Sequence, residues 1–162
     1  MVRLSPSLCS IALSALAFLH APNADAAHLV AGSSDESVCL DVQWADVSTG
    51  TGTLVAFTCN LTSAQSWNFE GKTIQGLGTT SAGAFCLDVN NDRTYDAKQV
   101  DITWCNQTPA QNWFYTDQSA IVGAHSKKCL TVGFSQSPPP YPVTMETCGY
   151  PFVESNQVWA IR

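Results

Sequence analysis

Residues Phe85–Tyr115 read FCLDVNNDRTYDAKQVDITWCNQTPAQNWFY, and the pattern inside them occurs three times in the chain. It opens on Cys-Leu-Asp-Val, passes a second cysteine and closes on Gln-x-Trp. The opening recurs, with one change, as Cys39-Leu40-Asp41-Val42, Cys86-Leu87-Asp88-Val89 and Cys129-Leu130-Thr131-Val132. The second cysteine follows 20, 19 and 19 positions later, at Cys59, Cys105 and Cys148. The close falls at Gln65-Ser66-Trp67, Gln111-Asn112-Trp113 and Gln157-Val158-Trp159, 46 positions apart each time. A fixed period of this size means one supersecondary unit used repeatedly.

Three cysteine pairs in register with three Gln-x-Trp motifs resemble the ricin B-type lectins, over about Leu29–Arg162. The resemblance implies a β-trefoil: one hairpin from each unit joins a six-stranded barrel and three further hairpins cap it. The units run from about 28 to 72, 73 to 118 and 119 to 162. Short apolar strands are expected at His28–Ala31, Val38–Val42, Leu54–Thr58 and Gln65–Phe69 of the first unit. Turns fall at Gly32–Asp35 and Gly50–Gly52 between them. Thr73-Ile74 opens the second unit and Ala120–Val122 the third. Asn90–Asp92 reads as a polar loop, and Pro138-Pro139-Pro140 cannot join a sheet ladder. No stretch has useful helical periodicity, so the fold is all-β, three homologous four-stranded units.

The chain of 162 residues has room for one domain. It is 45% hydrophobic and 12% charged, with five tryptophans and seven phenylalanines, enough to build a core. The net charge of −6, with Lys127-Lys128 the only adjacent basic pair, argues against nucleic acid or an anionic membrane as partner.

At the N-terminus, Arg3, an apolar run at Leu8–Leu19 and Ala24-Asp25-Ala26 have the parts of a secretory signal, cleaved after Ala26. Its 12 apolar residues are too few to insert across a bilayer. The mature domain is then 27–162, secreted and extracellular. Cleavage removes Cys9 and leaves six cysteines. Six permit 15 pairings, and the repeat selects Cys39–Cys59, Cys86–Cys105 and Cys129–Cys148, one disulfide per unit. Secretion favours that oxidation. Zinc ligation would want Cys-x-x-Cys spacing, which is absent. The sequons at Asn60 and Asn106 occupy equivalent positions, each following a second cysteine, and are expected N-glycosylation sites.

The Gln-x-Trp residues have a mechanical part: Trp67, Trp113 and Trp159 fill the core, while Gln65, Gln111 and Gln157 satisfy backbone groups where the strand bends. In the family, each unit can hold one shallow sugar site. Its parts are the aspartate of Cys-x-Asp-Val, an aromatic two residues before the second cysteine, a polar residue two before that, and the Asn of Asn-Gln-x-Trp. Transferred residue by residue, no unit is complete. The first has Asp41 and Phe57 but Val55 and Ala64 at the polar positions. The second has Asp88 and Asp101, but Thr103 and Ala110 replace the aromatic and the asparagine; Trp104 shares a face with Val100 and Ile102 and reads as core. The third has Asn156, but Thr131 and Glu146 replace the aspartate and the aromatic. The first unit is the best equipped, the second next, the third poorest. Trp44, Tyr95 or Tyr141, expected in loops, are candidates for a replacement platform. Asp41 and Asp88 equally fit a structural part, capping turns.

Catalysis finds little support. Asp88 and Asp101 have the chemistry of a hydrolytic pair, but an open surface would not desolvate an acid. Cysteines committed to disulfides are not nucleophiles, and His28 and His125 stand apart from any. The run Asp88–Asp92 imitates a calcium loop, yet Arg93 replaces its glycine and Gln99 its closing glutamate. The expectation is a non-enzymatic protein without metal or cofactor that binds glycans or glycoproteins, with galactose-type sugars the candidate the resemblance implies, in an oligomeric state the sequence leaves open. The competing reading keeps the fold and drops the sugar: an extracellular interaction or inhibitor protein.

Overall fold

The computed structural model describes residues 26–32, 38–46, 48–80, 83–89, 94–134 and 139–162. The signal-like segment up to residue 25, all of the expected Gly32–Asp35 turn but Gly32, the loop at Asn90–Asp92, Arg93 and Pro138 lie outside them. Unit one comprises β1 (Leu29–Ala31), β2 (Val38–Asp46), β3 (Thr51–Thr58) and β4 (Trp67–Glu70). Unit two comprises β5 (Thr73–Thr80), β6 (Gly83–Val89), β7 (Lys98–Trp104) and β8 (Trp113–Tyr115). Unit three comprises β9 (Ile121–Gly123), β10 (Cys129–Val132), β11 (Tyr141–Glu146) and β12 (Trp159–Ile161).

The pairing repeats three times. Each unit's last strand joins the first strand of the next, as β4–β5, β8–β9 and β12–β1. Hairpins β2–β3, β6–β7 and β10–β11 form within units. The third strands close a ring, β3–β7, β7–β11 and β11–β3. That closed ring is the pseudo-threefold of a β-trefoil, and closure leaves few free edges. The disulfides Cys39–Cys59, Cys86–Cys105 and Cys129–Cys148 each stay inside one unit.

The core explains the strand sequences. Leu40, Leu87 and Leu130 are fully buried together with Trp67 and Trp159, and Trp113 is nearly so. Each indole N–H donates to the leucine carbonyl of its own unit: Trp67 to Leu40 at 3.0 Å, Trp113 to Leu87 at 2.9 Å, Trp159 to Leu130 at 2.9 Å. A buried tryptophan thus has its polar atom satisfied while its rings fill the barrel. Its cross-strand neighbour is small in every unit: Gly76 opposite Trp67, Gly123 opposite Trp113, Ala31 opposite Trp159. A β-carbon on Gly76 would lie 2.6 Å from the Trp67 ring, so size there is dictated by the indole.

The glutamines work as inserted backbone. Gln65 accepts from Asn60 N–H and donates to Thr58 carbonyl, at 2.8 and 3.0 Å. Gln111 does the same with Asn106 and Trp104, and Gln157 with Gly149 and Thr147. Each thereby bridges the residues on either side of its unit's second cysteine. This differs from the expected strand at Gln65–Phe69. The glutamine ends a short 3-10 turn (Ser63–Gln65, Pro109–Gln111, Ser155–Gln157), and the strand starts at the tryptophan. The turn is needed to aim the amide back at the cysteine. Two further expectations are corrected. Tyr141 is not in a loop but buried in β11, edge-on to Phe134 at 5.0 Å. Trp44 lies in the outer part of β2, in the bulge between Gln43 and Asp46.

Candidate functional site

Three strands build a cleft that gathers several sequence-predicted residues. Asp88 on β6 pairs with Asp101 on β7, and Asp101 pairs with Thr53 on β3. Cross-strand partners project from the same face, so Asp88, Asp101 and Thr53 form a polar row. Gln99, Thr103 and Thr51 flank it, and the cleft encloses about 430 Å³. Gln99 donates its amide to Asp101 Oδ1 at 2.8 Å, which fixes that carboxylate. Asp88 is buried and also partnered. No lining residue is cationic.

Trp44, from unit one, forms the remaining wall. It is 82% exposed, so the indole is not core. Its backbone has φ +50°, in the left-handed region, at the register shift between Gln43 and Asp46. That conformation costs a non-glycine residue about 1–2 kcal/mol, and such strain persists only where neighbours enforce it. Two residues on, Asp46 anchors the turn that follows. Its Oδ1 accepts from Ser48 Oγ at 2.6 Å, Ser48 N at 2.9 Å and Thr49 N at 3.3 Å. These bonds, the Ser48 hydroxyl first, hold the Asp46 carboxyl below its ordinary range. The bulge, with this turn next to it, sets a large flat ring in solvent beside two carboxylates.

Unit one is organised differently. Asp41 and Phe57 do share a face of the β2–β3 hairpin, through the Asp41–Val55 and Cys39–Phe57 pairs. But Asp41 is buried, and its Oδ2 accepts from Gln65 Nε2 at 2.7 Å. Val55 is buried as well, so the polar row of unit two has no equivalent. Phe134 stands five positions after Cys129, as Trp44 does after Cys39. It folds onto Tyr141 and the core instead of standing open.

Unit three is knitted to its neighbour. Glu146, at the aromatic position, accepts from Ala97 N at 3.2 Å and Thr144 Oγ1 at 2.8 Å. Lys128 binds Asp96 at 2.8 Å and donates to Thr147 at 2.9 Å. Asn156 donates to the Val132 carbonyl at 3.1 Å, a backbone brace. Thr131 accepts from Gln157 Nε2 at 3.2 Å, in the place where Asp41 accepts from Gln65.

The sequence of residues 28–159 matches the family model for the ricin-type β-trefoil lectin domain. The chain belongs to that family. No curated protein matches it in sequence. Among solved structures, this lectin domain is similar to the designed threefold-symmetric protein ThreeFoil, at 22% identity and TM-score 0.67, covering 83% of this chain and 96% of ThreeFoil. It is also similar to the C-half of an earthworm R-type lectin in complex with GalNAc, at 12% identity and TM-score 0.65, covering 85% of this chain and 98% of that one. An exo-β-1,3-galactanase from Clostridium thermocellum matches at 20% identity and TM-score 0.67, over 86% of this chain but 30% of the galactanase. At these identities the likeness establishes the fold.

Three further positions of the lectin domain complete the comparison with the sequence. Trp104 is half-buried and stacked on Phe85, centroids 4.2 Å apart, on the core side as its alternation implies. Asn60 and Asn106 are exposed, and each side-chain oxygen accepts from the N–H and hydroxyl of its own sequon threonine. Sequence reasoning placed Asp88 and Asp101 together but left Trp44 among three possible platforms. The available signal was its position, five residues after Cys39, matched by an aromatic in unit three.

Proposed function

We propose that this chain is a secreted, non-catalytic lectin that binds a neutral sugar, of galactose type among the candidates, in the cleft between Trp44 and the Asp88–Asp101 pair. The observation that carries this is Trp44 itself: an exposed indole held in a strained conformation over a row of hydroxyl-binding groups. An aromatic face suits the C–H side of a pyranose, and carboxylates accept bonds from paired hydroxyls. Two acids without a cation disfavour sialylated or sulfated ends. The cleft draws on two units, which supports ranking unit two above unit one, the reverse of the ranking from sequence. One shallow site gives weak affinity, so clustered glycans are the expected targets. Secretion is expected to bring cleavage after Ala26 and exposure of the Asn60 and Asn106 sequons to glycosylation.

A glycan array probed with the mature chain tests the reading. Binding to neutral-ended glycans and none to sialylated ones is expected. A blank array favours the competing reading, a trefoil that recognises protein, which draws on the structural use of Asp41 and Asn156.

A further inference from the structure

Unit three departs from the repeat between its second cysteine and its glutamine. Six positions separate Cys59 from Gln65 and Cys105 from Gln111, but nine separate Cys148 from Gln157. The sequon is gone, and Gly149-Tyr150-Pro151-Phe152-Val153 follows the cysteine instead. Tyr150 is 97% exposed and Phe152 77%. The loop is nonetheless built. Val153 N donates to Gln118 Oε1 at 3.1 Å, and Gln118 Nε2 donates to the Pro151 carbonyl at 3.4 Å. A β-carbon on Gly149 would lie 2.5 Å from the Phe152 carbonyl, so the loop folds back where only glycine fits. Val153 packs on a small cluster of Ala120, Val122 and Cys129 beneath.

Between this loop and residues 116–118 lies a second cleft of about 300 Å³. Tyr150 and Pro151 form one side; Thr116, Asp117 and Gln118 form the other. Among the described residues, the Asp117 carboxylate has no hydrogen-bond or ionic partner. We propose that this cleft is a second saccharide site, not related by the threefold to the Trp44 cleft, and that it takes one neutral pyranose. Tyr150 stacks on the C–H face of the ring, and Asp117 accepts bonds from adjacent hydroxyls. An anionic ligand does not fit, because Asp117 is the charged group of the lining. A quaternary ammonium wants several rings converging on it, and Phe152 is not part of this lining. The inference stands apart from the reading of the Trp44 cleft. With both, one chain joins two glycan ends, and avidity follows without oligomerisation.

The test is an amide NMR titration of the mature chain with galactose, glucose, mannose, N-acetylglucosamine and N-acetylgalactosamine in turn. At least one sugar is expected to move the Asp117, Gln118 and Gly149 amides saturably. Tyr150→Ala and Asp117→Ala each abolish those shifts, Tyr150→Phe retains them, and none of the three alters shifts near Gly52 and Thr103. Shifts only around Gly52 and Thr103 overturn this proposal while leaving the Trp44 reading. Shifts only around Asp117 support it and overturn the other. Silence of the Asp117, Gln118 and Gly149 amides towards all five sugars, or their equal response in Tyr150→Ala, also overturns it.

Discussion

Gln65 donates its side-chain amide to the buried carboxylate of Asp41 at 2.7 Å, so the aspartate best placed by sequence to bind sugar is part of the frame. Among the described residues, Gln111 makes no such bond to Asp88; its Nε2 donates to the Trp104 carbonyl and its Oε1 accepts from Asn106 N. The same repeat thus uses its first aspartate to brace a motif and sets its second into an open cleft.

Removing either partner in unit one should therefore cost stability. Gln65→Ala leaves a buried carboxylate and two backbone groups without their donor or acceptor. A buried unsatisfied group costs about 1–3 kcal/mol, more for a charged one. Gln111→Ala leaves only two backbone groups, Asn106 N–H and the Trp104 carbonyl, without their partner and should be milder. Thermal unfolding of the two variants checks this. Equal losses of Tm would show that the Asp41 bond contributes nothing.

Trp44→Gly should behave oppositely. It removes an exposed ring and relieves a left-handed conformation, so Tm should hold or rise, by the equivalent of up to about 1 kcal/mol. Affinity for any glycan bound in the cleft should drop at least tenfold, a change of about 1.4 kcal/mol. A clear loss of Tm in calorimetry would mean the indole is packing after all.

The three disulfides close loops of 20, 19 and 19 positions, each within one unit. Each is worth about 3 kcal/mol in the chain-entropy account. Cys86→Ala/Cys105→Ala should lower stability by that order while leaving the other two bridges intact. Peptide mapping of the oxidised protein should find cysteines joined only inside units. A crosslink between units would contradict the architecture.

Acid should weaken the frame late. Hydrogen bonds from Ser48 hold Asp46 below the ordinary aspartate value of 3.8, and the Lys128 ammonium, then Thr147, does the same for Asp96. In both, the fold favours the charged form, so the unfolded chain takes up protons first as pH falls. Their contribution is complete above pH 3.8 and is lost as pH drops through the lower folded values. Tm should change little from neutrality to about pH 4 on their account and decline below it. Asp96→Asn should flatten that decline, and an unchanged slope in the variant would argue against the Asp96–Lys128 link.

Much of this was readable from residues and some was not, for physical reasons. The repeat carried the fold, because Gln-x-Trp and the cysteine pairs do the same work in all three units: indole to leucine carbonyl, glutamine across the second cysteine, one bridge per unit. It also carried Asp88 and Asp101 as neighbours, since strand register follows from cysteine spacing. The exchange between units was not readable. Trp44 reaches the cleft of unit two only because β3 pairs β7, a contact between residues about 50 positions apart in sequence. Nor did the sequence tell Asp41 from Asp88. Both sit in the same tetrapeptide, and what separates them is where Gln65 and Gln111 aim their amides.

The most direct test of the central claim is an equilibrium titration of the strongest array glycan against the wild type, Trp44→Ala and Asp101→Ala, with Tm measured for each. Saturable binding by the wild type, lost by at least tenfold in both variants at unchanged Tm, is the predicted result. Undiminished binding in both variants would place the sugar elsewhere and contradict the account.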